Sequence, residues 1–160
     1  MFRKLVQTND DHMLAVLRLV LGVVFFAHGA QKVLGWFGGA GYSGTVSYLT
    51  GRLGIPEVLA VIAILAEFLG GIGLIFGFLS RIAAFGIVVD MAVALLRVHL
   101  HNGFFMNWAG NKAAEGFEFH LLAIAIALTV MVRGAGAVSL DRVLQSTRPV
   151  HHPYPAPSRG

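Results

Sequence analysis

The sequence predicts an all-α polytopic membrane protein, a four-helix bundle, on three observations. It is 56% hydrophobic and only 12% charged, whereas an ordinary soluble domain carries roughly 25% charged residues. Four stretches approach or meet the ~20 apolar residues that a helix needs to cross a bilayer core. Ionisable residues nonetheless recur inside those stretches, and a charge that is expensive in lipid is kept where it faces a protein interior. A length of 160 residues suits one compact unit, and the 20 glycines follow no three-residue period, so soluble, disordered and fibrous classes are excluded.

In chain order, the first span, residues 13–34, comes after Arg3, Lys4 and the helix-starting run Thr8-Asn9-Asp10-Asp11. Its length and its own ionisable groups argue against a cleaved signal peptide. The second, residues 57–79, begins behind Pro56, a residue suited to the first turn of a helix. Ser80-Arg81 makes a very short turn into the third, residues 82–100. The fourth, residues 117–132, is ended by Gly134-Ala135-Gly136. These make one transmembrane domain, residues 1–148. The tail, residues 149–160, is expected to be disordered, since its prolines block helix and its few apolar groups do not offset the ordering entropy.

Four spans put both termini on one side. Arg3, Lys4, Arg81, Arg133, Arg142, Arg148 and Arg159 fall on that side, against Arg52, Lys112 and Lys32 opposite, so the termini are expected to be cytoplasmic. The loops at 35–56 and 101–116 then face outward, each long enough to fold over the bundle. In this setting the formal charge of +4 speaks of orientation and anionic lipid rather than nucleic acid. The absence of cysteine excludes disulfides, thiolate metal sites and thiol–disulfide exchange within the chain.

Ionisable residues in or beside the spans are Arg18, His28, Lys32, Glu67, Asp90, Arg97, His99, Glu118 and His120. At ~100° per residue, Arg18, Gly22, Phe25, His28 and Lys32 share one face of the first helix, which must look inward. Heights at ~1.5 Å per residue divide the charges in two. A lower group pairs Arg18 with Asp90 or Glu67, as a structural ion pair fixing helix register. Glu67, directly before Gly70 and Gly71, is equally open to holding a proton or accepting a hydrogen bond from a ligand. An upper group gathers His28, Lys32, Arg97 and either Glu118 or His120 beneath the outer loops.

In that upper group histidine can shuttle protons, while lysine and arginine can polarise a carbonyl oxygen. Glu118 and His120 are two residues apart and point to opposite helix faces, so only one belongs to the pocket, and Glu118 is favoured. Trp36, Trp108 and Phe117 are candidate lid or interface anchors, with an interfacial aromatic belt as the plainer alternative. A haem between His28 and His120 is disfavoured, as is a dedicated metal site, because no His-x-x-x-His spacing occurs. Gly70, Gly73 and Gly77 form a small-residue face for close helix packing.

Several fragments together resemble the DoxX family of small four-helix membrane proteins. They are the arginine of the first helix, His28-Gly29-x-x-Lys32, Glu67-x-x-Gly70-Gly71, Gly116-x-Glu118 and the exit Gly134-x-Gly136-x-x-Ser139-x-Asp141. The resemblance covers about residues 12–144. It implies a bacterial cytoplasmic (inner) membrane location and marks Arg18, His28, Gly29, Lys32, Glu67, Gly70, Gly71, Glu118, Ser139 and Asp141 as family features. The family includes a subunit of an archaeal thiosulfate:quinone oxidoreductase, relatives linked to resistance to quinone or thiol stress, and many members without an assigned role.

The expected function is therefore a quinone-interacting component of a membrane oxidoreductase system. Lys32 or His28 bonds a quinone carbonyl, with Arg97 and Trp36 also lining its site, and Glu118 or Glu67 conducts the proton. No flavin or iron–sulfur motif is evident, so electrons would come from a soluble or membrane redox partner. The alternatives are a non-enzymatic scaffold for a soluble partner and, with less support, a small-solute or proton transporter, which homo-oligomer formation would favour.

Overall fold

The computed structural model describes residues 2–146, and the segment expected to be a disordered tail lies outside them. Among the described residues every regular element is helical: α1 (Phe2–Leu5), α2 (His12–Leu34), α3 (Gly41–Gly51), α4 (Glu57–Phe76), α5 (Ser80–Ala94), α6 (Glu118–Arg133) and α7 (Leu140–Ser146). Short 3-10 turns stand at Trp36–Gly38 and Leu100–Asn102. Asp11 starts α2 by accepting a hydrogen bond from the Leu14 amide, and Gly35, at φ 72°, ends it.

Three helical segments are long and apolar enough to cross a membrane: His12–Leu34, Glu57–Phe76 and Ser80–Asn102, the last being α5 with its continuation. That continuation contains a π-helical turn, Leu95–His99. The helix α6, predicted as the fourth span, has 16 residues, ~24 Å of helix against a hydrocarbon core of ~30 Å. It packs on α5 and α2, while α2 packs on α4 and α4 on α5. The segment at 35–56, expected as an outward-facing loop, folds into α3, which rests against α2 and α4.

The packing inverts the pattern of a soluble protein. Val16, Leu19, Val20 and Val23 of α2 are exposed, as are Ile62, Leu65 and Leu69 of α4 and Phe85 and Val89 of α5, whereas Arg18, Glu67 and His120 are buried. Apolar side chains turned outward with charges inside suit a lipid solvent. The core is thin and made of small or medium residues: Leu14, Leu21, Phe25, Leu74, Ala84, Ile87, Ala123, Ala127 and Val130.

Glycine sets how closely α2 and α4 approach. A Cβ at Gly29 would collide with the Phe68 backbone, one at Gly71 with Phe26, and one at Gly22 would lie 2.7 Å from Ile75 N. The expected stripe Gly70, Gly73, Gly77 is therefore not the closest seam. Gly70 has only ordinary contacts, and Gly77 terminates α4 at φ 66°. Gly71, on the face toward α2, makes the tight approach.

Candidate functional site

The buried charged groups gather in two assemblies. At the end of the molecule where α4 stops and α5 begins, buried Arg18 donates to the carbonyls of Ala135 (2.8 Å), Ile75 (2.9 Å), Val138 (3.1 Å) and Leu74. Asp141 accepts from the amides of Leu79 (2.8 Å) and Ser80 (2.9 Å), and its own amide donates to the Gly77 carbonyl. Leu79 and Val138 hold positive φ angles of 48° and 50°, a conformation unfavourable for residues with a Cβ. The buried arginine and aspartate bond directly to both. Arg81 similarly donates to the Met131 and Val132 carbonyls at the end of α6 and to the Gln7 carbonyl.

The expected ion pair between Arg18 and Asp90 is thus not formed. The last turn of a helix leaves carbonyls without intrahelical partners, and a guanidinium offers five donors to satisfy them. Asp90 stands ten residues into α5, ~15 Å along the helix from that end. The acid that neighbours Arg18 is Asp141, from beyond the fourth predicted span.

The second assembly lies deeper. Lys32 Nζ forms an ion pair with the Glu67 carboxylate, and their side chains are 33% and 5% exposed. The glycine seam explains the meeting: with Gly29 pressed on Phe68, Lys32 one turn further along α2 reaches the residue before Phe68. Height along the helices places the two in different groups because it ignores the length of the lysine side chain, which bridges more than one helical turn.

Across the α4–α5 contact, Asp90 neighbours Glu67 and feels the Lys32 charge. Its Oδ2 is buried without a donor. His28, near Gln31, Lys32 and Glu67, is exposed, unlike most of the helix face it shares, and its ring centroid lies 6.0 Å from Phe119 of α6.

His120, not Glu118, enters the interior. It is 5% exposed, its Nδ1 has no partner, and its ring centroid is 4.2 Å from that of His99. His99 Nδ1 bonds the Glu115 carbonyl at 2.9 Å. Because neutral imidazole carries one donor nitrogen, this contact makes Nδ1 the protonated one and leaves Nε2 as an acceptor. Glu118 is taken up by the loop before α6 instead, accepting from the Met106 amide (2.9 Å) and Trp108 Nε1 (3.0 Å).

Arg97 and Trp36 also stand outside the cluster. Arg97 is exposed and donates to the Leu53 carbonyl at 3.4 Å. Trp36 packs edge-on against Phe26 and Phe37. Two members of the cluster escape the sequence reading, which pairs Asp90 with Arg18 and prefers Glu118 to His120. A signal for His120 exists, since Ala123, Ala127 and Val130, all buried, continue its stripe at three- and four-residue steps.

Residues 13–100 match the family model DoxX. The chain belongs to the DoxX family. Among its DoxX-type relatives, the inner membrane protein YqjF of Escherichia coli (strain K12) is 30% identical over 84% of this chain and 94% of that protein. An uncharacterized protein of Haemophilus influenzae is 32% identical over 81% and 89% of the two chains. A Bacillus subtilis protein named "Putative oxidoreductase CatD" is 27% identical over 79% and 82%. No solved structure matches the chain. This DoxX chain is an integral membrane protein by family and by its three long apolar segments.

Chemically, the DoxX cluster presents a partly exposed ammonium above buried carboxylates, with imidazoles alongside. Such a set can donate a hydrogen bond to a carbonyl oxygen and hold or release protons at the carboxylates and imidazoles. Arg18, Ser139 and Asp141 bond backbone and hold helix ends together.

Proposed function

We propose that the chain is a quinone-interacting component of a membrane oxidoreductase system, built as a four-span bundle with cytoplasmic termini in a bacterial inner membrane. The observation that carries this reading is the Lys32–Glu67 pair: its cation is one-third exposed and its carboxylate is buried. Partial exposure spares the ammonium some of its desolvation cost, and it also leaves the cation open to a ligand carbonyl, which a fully enclosed pair would not. The relative named as an oxidoreductase supports the same class, and the name of the Escherichia coli relative supports the membrane.

The residues present fit a quinone headgroup. Lys32 Nζ would bond a carbonyl oxygen, His28 would stand beside it, and Glu67 would hold the proton. A bound quinone supplies two-electron redox chemistry, and its electrons would come from a partner protein. Helix α6 completes the bundle as a short fourth span, and the arginines at the α4–α5 turn and α6 end fit a cytoplasmic side.

Mass spectrometry of the organic extract, from protein purified in mild detergent out of its native membrane, tests this. Near-stoichiometric quinone in the native chain and its loss in Lys32→Met are expected. Equal content in both, at the level of bulk lipid, would overturn the reading.

A second reading, a non-enzymatic anchor for a soluble partner, is favoured by one observation. A groove between the first turn and α7, lined by Phe2, Arg3, Lys4, Gln7, Leu144 and Gln145, lies at the terminal end with two basic residues on its rim. Pull-down from native membranes separates the readings, because the anchor requires a stoichiometric protein that Arg3→Glu, Lys4→Glu releases.

A further inference from the structure

We propose that Asp90 and Glu67 share one exchangeable proton, and that His120 with His99 connects this proton to the outer loop. Charge arithmetic comes first. Among the described residues, the interior at this point holds one cation, Lys32, and two carboxyl groups, Glu67 and Asp90. Lys32 satisfies Glu67, which leaves a second carboxyl whose Oδ2 is buried without a donor. A bare carboxylate there is strongly disfavoured in a low-dielectric interior. A proton on Asp90 removes the charge and turns the orphaned acceptor into a donor beside the neighbouring Glu67 carboxylate, as two carboxyls in one site favour.

The route rests on a second orphaned atom. His120 Nδ1 is buried without a partner on a side chain 5% exposed. Its ring lies 4.2 Å from His99, which is tied to the outer loop through the Glu115 carbonyl. The groups facing His120 are His99 from the π-helical turn and His28 from α2, and His28 in turn faces Lys32 and Glu67. Those facing Asp90 are Glu67 of α4 and Lys32 of α2. Titratable groups thus neighbour one another electrostatically from His99 through His120, His28, Lys32 and Glu67 to Asp90. The π-helical turn belongs to this arrangement: an extra residue in the turn rotates the helix beyond it and brings His99 to α6, and such turns are frequent at functional sites.

One proton moves along this series without any change in bonding to carbon: it leaves Asp90 Oδ2, passes over the imidazoles and enters water at the outer loop, and it returns by the reverse course. The proposal deepens the redox reading, which it would serve by supplying a proton to a ligand at Lys32. Its test uses no quinone, so the two fail separately.

The test is infrared spectroscopy of the full chain in lipid, tracking the C=O stretch of protonated carboxyl groups near neutral pH. The native protein is expected to show a band that Asp90→Asn removes and that shifts on transfer to deuterium oxide. In His120→Phe the band is expected to remain and its deuterium shift to slow several-fold. Absence of the band in the native protein, which needs no variant, or its survival in Asp90→Asn would overturn the shared proton. An unchanged exchange rate in a folded His120→Phe would overturn the route.

Discussion

Lys32 and Glu67 meet across a tight helix contact, the seam where Gly29 presses on Phe68 and Gly71 on Phe26. The geometry makes the pair dependent on glycine. Anything that pushes α2 from α4 also pulls the ammonium from its carboxylate.

Gly71→Ala is accordingly expected to destabilise the protein by about 1–3 kcal/mol, the range for overpacking a filled contact. Gly70→Ala, whose Cβ would meet atoms no nearer than 3.6 Å, should cost far less. Thermal unfolding of both variants in one detergent checks the contrast, and equal losses would mean the seam is misplaced.

For the ion pair itself, Lys32→Met leaves two carboxyls without their cation. Removing one partner of a buried pair costs roughly 3–5 kcal/mol, and the partial exposure of Lys32 places the expected loss at the low end. The double variant Lys32→Met, Glu67→Leu should recover most of it, because no charge is then stranded. Unfolding measurements around the full cycle give the coupling, and simple additivity would show that the two side chains do not depend on each other.

Arg18→Lys tests the other assembly. An ammonium offers three donors from one point and cannot cover four carbonyls spread over α4 and the segment 135–138. Hydrogen bonds from charged groups contribute ~1.5–3 kcal/mol each, so even this conservative change should be clearly destabilising. Asp90→Asn is expected to leave the size of that loss unchanged. A strong coupling between the two positions would restore the Arg18–Asp90 ion pair.

Glu118→Gln weakens its acceptance of the Met106 amide and the Trp108 indole. The outer loop at 103–117 should then exchange its amide hydrogens faster, while quinone content stays at the native level. Loss of quinone without loosening of the loop would return Glu118 to the site.

Much of the fold is legible in the sequence, for reasons that lie in particular residues. The long helices result from apolar runs too extended for a soluble core, and Pro56, Asp11 and Gly35 mark boundaries by local chemistry alone. Lys32, Glu67 and His28 stand out because a charge in such a run needs a reason. The features that stay hidden depend on the third dimension. Arg18 finds backbone rather than acid because the open carbonyls of a helix end carry no mark in the sequence. The π-helical turn at Leu95–His99 shifts the phase by which His99 would be assigned a face. Glu118 satisfies the rule for an inward charge yet serves its own loop, twelve residues or fewer away.

The most direct measurement is photolabelling with a reactive quinone analogue in native membranes, with peptide mapping of the adducts. Labelling of α2 around Lys32 and of α4 around Glu67, lost when unlabelled quinone competes, is the expected result. Adducts spread over the lipid-facing residues and indifferent to competitor would contradict a quinone site at the Lys32–Glu67 pair.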